Sequence, residues 1–322
     1  MNYKSRYYNK IEKVPNGIKK SSANIAKISN EVEFYEALKK PQFNHLSKYF
    51  PKLIDWWIEN DKMSYITEDL GEMTVSDYFT DEVLGGSLGY LLQHCEQFLK
   101  DRPTKQESSA QSCHFLYLKK VKERDFMFRG SETFKKMGRA PWNYFLNKYR
   151  DLITRYLYLA ENHLKYENYV AFHHGDFCLT NMFYYYNGPL KLIDPMGCDK
   201  EFKNFHDPLY DVAKLSHSIL GSYDNIINNQ FFIELQEDGT HSLFINGNSE
   251  QENFKAFLRR NNFDYYQVRL REASLFLSMI PLHPESLKRI LALILQAENI
   301  INECEKHFGL TNVSTNDTVG HV

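Results

Sequence analysis

The chemistry-bearing residues of this chain cluster between 173 and 218. His174, Asp176 and Asn181 form the pattern H-x-D-x-x-x-x-N, which puts on one short loop a carboxylate able to take a proton and an amide able to ligate a metal. The chain then runs MFYYY, Asn187-Gly188 and PLKLID: a strand, a turn signal and a second strand. With Asn187 and Gly188 as the two turn residues, Asn181 faces Asp194 at the open end of this hairpin. Pro189 lacks an N–H, so a three-residue loop with a one-residue slip is the other register. Either one leaves an amide oxygen and a carboxylate close enough to share a hard divalent cation.

Further along, Asp207-Pro208 reads as an N-cap followed by the first residue of a helix that Gly221 closes. Asp211 then falls in the first turn, where it can brace the loop through hydrogen bonds.

The elements that must position these groups lie on both sides. Residues 9–22 read as a hairpin turning at Pro15-Asn16-Gly17, and 23–40 as a helix stopped by Pro41. On that helix Ile28, Tyr35 and Leu38 share a face with Glu31. A carboxylate on the buried stripe needs a partner. Lys19 and Lys20 in the preceding strand point to opposite faces, so one of them can supply it. Residues 62–70 read as a strand, and a boundary near residue 70 separates this segment from a mainly helical remainder. Segments 143–166 and 284–307 are amphipathic helices, and a polar tail expected to be disordered follows from 311.

HGDFCLTN (174–181), IDPMG (193–197) and DPLYDVAKLSHS (207–218) resemble the motifs of the aminoglycoside phosphotransferase and choline kinase superfamily. The likeness is greatest to the small-molecule kinases associated with bacterial surface-polysaccharide genes. It is specific over about fifty residues and looser elsewhere. It implies an α+β, bilobal protein kinase-like fold, with a β-sheet-plus-helix nucleotide-binding N-lobe at 1–70 and a mainly helical catalytic and substrate-binding C-lobe at 71–310.

The resemblance further implies ATP and Mg²⁺ as cofactors, with a small-molecule hydroxyl as acceptor, most simply a sugar or related component of a surface glycan. Choline, ethanolamine or an aminoglycoside is the alternative. Asp176 would be the base, with His174 and Asp211 supporting its loop. Asn181 and Asp194 would hold the metal, Lys20 paired with Glu31 would touch the phosphates, and Glu68 to Leu70 would form the hinge beside the base. Two departures stand out. Only 19 residues precede Lys20, with Gly17 the sole glycine among them, and Met196 stands where relatives often carry Arg.

Composition excludes several classes. Over 322 residues, 39 Lys and Arg against 41 Asp and Glu leave a charge of −2, so no global positive field exists to bind a nucleic-acid backbone. The charge is uneven, with 11 basic and 4 acidic side chains in residues 1–54. Without an apolar run long enough for membrane insertion and without a secretory h-region, the sequence reads as cytoplasmic. Its five cysteines form no CxxC pair. The 43% hydrophobic content supplies a core, and the 23 Phe and 22 Tyr are read as part of it. Lys120 and Arg124 sit four apart on a helix whose face is read as solvated. Oligomeric state is not legible.

Two rival classes use the same residues. A metal-dependent phosphohydrolase of the HD type would take His173, His174, Asp176, Asp194, His206 and Asp207 as ligands, but such sites draw on helices and would leave Lys20, Glu31 and Asn181 idle. A non-catalytic nucleotide binder fits the short start of the chain, while the retained Asp176, Asn181 and Asp194 speak for turnover.

Overall fold

The computed structural model describes residues 9–71, 73–80, 88–184, 189–197, 203–237, 240–245 and 251–310. It opens with β1 (Asn9–Val14), β2 (Gly17–Ser22), α1 (Ile25–Ala37), β3 (Leu53–Glu59) and β4 (Lys62–Thr67). Then come α2 (Val75–Thr80), α3 (Leu88–Asp101), β5 (Thr104–Lys105), α4 (Ala110–Cys113), a π-helical turn at His114–Lys119, α5 (Lys120–Arg129), α6 (Glu132–Met137) and α7 (Asn143–His163). The strands β6 (Val170–Phe172), β7 (Met182–Phe183), β8 (Lys191–Leu192) and β9 (Phe205–His206) precede α8 (Tyr210–Ile219) and α9 (Tyr223–Ile227). The hairpin β10 (Phe231–Leu235) and β11 (His241–Ile245) leads to α10 (Gln251–Arg260), α11 (Tyr265–Met279) and α12 (Leu287–His307).

The chain packs as two units. The first comprises residues 1–112, 166–219 and 249–261, and the second comprises 113–165, 220–248 and 262–322. This partition is one of packing, whereas the boundary expected near residue 70 divides the chain by function. The tail at 311–322 lies outside the described residues.

In the first unit an antiparallel sheet runs in the order β1-β2-β4-β3. The expected hairpin is present, with Val14 paired to Gly17. Helix α1 is shorter than the stretch from Ala23 to Lys40: the Asn24 side chain caps it by accepting the Lys27 N–H at 3.2 Å. Strand β3 is an addition to the sequence reading. Its pattern of one buried residue among six exposed or half-exposed ones is that of an edge strand, with no alternation to detect.

Beneath the sheet, aromatic rings make a continuous packing. Phe34 lies 5.1 Å from Phe50 and 5.3 Å from Phe172, Phe98 stacks on Phe177 at 5.1 Å, and Phe50 stacks on His174 at 6.0 Å. The rings extend from α1 to the loop after β6, so part of the aromatic load supports that loop.

The second unit is helical around α7, α11 and α12. Helix α11 is buried at every position from Gln267 to Met279, and Tyr117, Tyr149 and Tyr156 are among the largest fully buried side chains. Lys120 and Arg124 lie on α5 in this unit. No helix among the described residues is long and apolar enough to cross a membrane. Cys95, Cys113, Cys178 and Cys304 are buried free thiols, and Cys198 lies outside the described residues.

Candidate active site

The register of the sheet decides between the two lysines. Lys20 pairs with Tyr65 across β2 and β4, so both side chains project from the same face. Both reach one oxygen: Lys20 Nζ donates to Glu31 Oε2 at 2.8 Å and Tyr65 OH donates to it at 2.9 Å. Lys19 projects from the other face, with its ammonium 5.1 Å from the Trp57 ring centroid.

Glu31 is 1% exposed on the buried stripe of α1, as its spacing requires. Burial pushes the Glu31 carboxyl above its ordinary value and outweighs the opposing pull of Lys20. Burial acts the other way on Lys20, but Asp194 and Glu31 prevail and hold the ammonium charged.

Lys20 also donates to Asp194 Oδ1. Burial would raise the Asp194 carboxyl, yet the Lys20 ammonium beside it brings it below the usual carboxylate range. Asp194 sits at φ 56°, in the left-handed region that Asp tolerates better than most residues.

Strands β7 and β8 pair Met182 with Leu192 and Phe183 with Lys191. This is the slipped register: Ile193 lies opposite Asn181, donating its N–H to the Asn181 carbonyl at 3.0 Å, and Asp194 comes one residue later. The missing N–H of Pro189 is the reason to expect that slip. Asn187 and Gly188 lie outside the described residues.

Asn181 Nδ2 donates to the backbone oxygen of Asp176 and to its Oδ2, both at 2.9 Å. The amide oxygen is therefore on the opposite branch from Asp176. It and the ionised Asp194 would supply oxygen donors of the kind a hard divalent ion takes.

The loop from His174 to Asn181 has little regular structure, and buried side chains hold it. Asp211 Oδ2 accepts the His174 N–H at 2.9 Å and its Oδ1 accepts the Gly175 N–H at 2.8 Å. Burial would raise the Asp211 carboxyl, but Arg102, which donates from Nη1 at 2.9 Å, keeps it below its ordinary value. Arg102 also donates to the Pro208 and Leu99 carbonyls. His174 accepts the Asp176 N–H on Nδ1 at 3.2 Å. Burial lowers its pKa against the pull of Asp211, so the ring is held neutral.

Two close approaches fix the backbone. A Cβ on Gly175, at φ +82°, would lie 2.3 Å from Met196 Cβ, so Met196 is seated over the loop. A Cβ on Gly197, at φ +91°, would lie 2.6 Å from the backbone carbon of Asn30, placing the chain after Asp194 directly against α1.

Helix α8 begins at Tyr210, later than the Asp-Pro signal indicates. The N–H of Tyr210 donates to the Asp207 carbonyl, and Asp207 itself is fully buried. Pro208 and Leu209 form the turn that delivers Asp211. Glu68 and Leu70 follow β4: Glu68 exchanges contacts with Lys52, and Leu70 is buried. His173 and His206 pack edge to face at 4.2 Å, and His173 Nδ1 lies 2.8 Å from the Asn204 carbonyl. Among the described residues no group of three His, Cys, Asp or Glu side chains is arranged to hold a metal ion.

Sequence reasoning missed Arg102 and Lys214. Lys214 Nζ donates to Asp176 Oδ1 at 2.8 Å. Its signal was its place on α8, one turn after Asp211. Arg102 offered none, lying 109 residues from Asp211.

The choline kinase LicA from Streptococcus pneumoniae is similar to this chain in structure at a TM-score of 0.52 and 13% identity, over 94% of this chain and 92% of that one. The fold is choline-kinase-like. A second structure, LicA in complex with AMP, matches at a TM-score of 0.47 and 13% identity, over 92% of this chain and 88% of that one. No family model and no curated relative matches. The α+β kinase-like fold implied by three short motifs is thus present along the chain, beyond the fifty residues that carry them.

Proposed function

We propose that this protein is an ATP- and Mg²⁺-dependent phosphotransferase acting on a hydroxyl of a small molecule. One observation carries the reading: Glu31, Lys20 and Asp194 are joined by contact, Asn181 and Asp176 are joined by contact, and the backbone bond between Ile193 and Asn181 links the two sets. Five residues of four types, two from 20–31 and three from 176–194, come together as a set of the kind that phosphoryl transfer uses.

In this reading residues 1–70 bind the nucleotide, with Lys20 on its phosphates and Glu68 to Leu70 beside its base. Residues 71–310 provide the catalytic loop and the acceptor site. Asn181 and Asp194 would hold Mg²⁺, which when bound neutralises phosphate charge. Asp176 orients the acceptor hydroxyl and takes its proton. The hydroxyl oxygen forms a bond to the γ-phosphorus while the bond from that phosphorus to the β–γ bridging oxygen breaks, and ADP leaves. Glu31 keeps Lys20 extended toward the phosphates, and Tyr65 keeps Glu31 in place.

The acceptor is a sugar or related component of a cell-surface polysaccharide, as the motif likeness suggests, and the reaction is cytoplasmic. A second acceptor class, choline or ethanolamine, is favoured by the structural likeness to a choline kinase. Purified protein with Mg-ATP and a panel of sugars, choline, ethanolamine and aminoglycosides is expected to release ADP only with one acceptor class. Asp176→Asn should lower that rate by about 10²- to 10⁴-fold. Phosphate release that needs no acceptor would turn the reading to a hydrolase. Nucleotide binding without turnover would turn it to a binder.

A further inference from the structure

Helix α8 grips the catalytic loop at more points than Asp211. Asp211, Lys214 and Ser218 stand at i, i+3 and i+7, so their side chains leave one stripe of the helix. Each meets a successive part of the loop. Asp211 takes the N–H groups of residues 174 and 175, Lys214 takes Asp176 Oδ1 at 2.8 Å, and Ser218 Oγ accepts the Leu179 N–H at 3.2 Å.

The loop has no cation of its own: between His174 and Asn181 the sequence is Gly-Asp-Phe-Cys-Leu-Thr. The positive charge beside Asp176 comes from α8. The Lys214 side chain is 13% exposed, and although burial disfavours its charge, Asp176 raises its pKa and keeps it an ammonium.

We propose that Lys214 is the positioning residue for Asp176, locking the carboxylate plane by pinning Oδ1 and leaving Oδ2 to face the acceptor hydroxyl. This rests on the phosphotransferase reading. A carboxylate on a free χ2 torsion samples orientations that do not meet an incoming hydroxyl. With Oδ1 tied to a helix that also holds the loop backbone at both ends, the group cannot turn without breaking a part-buried ion pair. Asn181 Nδ2 holds Oδ2 from within the loop. Lys214 and Asn181 thus hold the two carboxylate oxygens separately, one from α8 and one from within the loop. A misplacement of about 1 Å is enough to lower a rate by about 10²-fold.

The test is a pair of substitutions, Lys214→Met and Lys214→Arg, each made in the wild-type and in the Asp176→Asn background, with kcat, KM for ATP and Tm measured. Lys214→Met is expected to lower kcat by about 10- to 10²-fold with KM for ATP within about two-fold, and Lys214→Arg to recover most of the loss. In the Asp176→Asn background the same Lys214→Met change should lower the residual rate by less than about two-fold. The Tm effects of the two substitutions should likewise be non-additive, a readout that needs no acceptor. An equal kcat loss in both backgrounds, or a raised KM for ATP at unchanged kcat, overturns the proposal and makes Lys214 a direct contact of the phosphates. Wild-type protein without acceptor-dependent turnover overturns the phosphotransferase reading and the positioning role with it, even if the Tm values are coupled. Turnover with additive Tm values overturns the positioning role alone.

Discussion

Lys20 and Asp176 each lie against a charged partner, but different parts of the chain put them there. Lys20 is placed by a backbone ladder: the β2–β4 register sets it beside Tyr65, and the period of a strand aims it at Glu31. Asp176 sits in a loop with almost no ladder, and its surroundings are set by side chains of α8, with Asp211 accepting loop N–H groups, Lys214 donating to the carboxylate itself, and Arg102 holding Asp211 in place. A ladder spreads its restraint over many weak, equivalent bonds. The loop concentrates its restraint in a few buried charged ones, so single substitutions there should have larger consequences.

The strongest test of that contrast is Asp211→Ala. It removes the acceptor of two loop N–H groups and leaves the Arg102 guanidinium buried without its carboxylate, and we expect a stability loss of about 3–5 kcal/mol by denaturant unfolding together with lost turnover. A small loss would mean the loop is held by its aromatic bed instead. Next in size is Gly197→Ala, where a methyl group meets the α1 backbone at a positive φ. We expect a loss of about 1–3 kcal/mol, read as a lower denaturant midpoint.

A milder effect should appear with acid. His174 is held neutral with its pKa below 6.5, so its contribution is complete above pH 6.5 and declines as pH falls below that value. Protonation would also set two donors, Nδ1–H and the Asp176 N–H, against each other. Tm of the wild type should therefore fall between pH 6.5 and 5 more steeply than that of His174→Asn, and parallel profiles would refute this account. The smallest effect belongs to the sheet: Lys19→Ala, whose side chain lies over Trp57 away from Glu31, should change stability by about 0.5 kcal/mol or less and leave kcat unchanged. Loss of activity in Lys19→Ala but not in Lys20→Met would reverse the assignment of the two lysines.

The same contrast explains what could be read from the sequence. Turn chemistry and period bring out the first hairpin, α1 and the buried position of Glu31, because those are local properties of adjacent residues. Pro189 makes the slipped hairpin register one of two readable options, and the backbone bond of Ile193 to Asn181 selects it. Strand β3 escaped because an edge strand with most side chains in water shows no alternation. Arg102 escaped for a different reason: its partner lies 109 residues away, and nothing local distinguishes a buried arginine from a surface one before the chain folds. Lys214 was in plain view within DPLYDVAKLSHS, but its partner becomes evident only once the helix stripe is aligned with the loop. The likeness to known motifs found the loop; the side chains that hold it needed the fold.

The seat of Gly197 on the backbone of Asn30 bears on how α1 can move. Backbone packed on backbone has no side chain to yield, so α1 cannot swing outward without also lifting away from the segment that follows Asp194. On the phosphotransferase reading, any movement of α1 that parted Glu31 from Lys20 would also have to open this backbone contact, so the lysine–glutamate pair and the Asp194 segment form one mechanical unit.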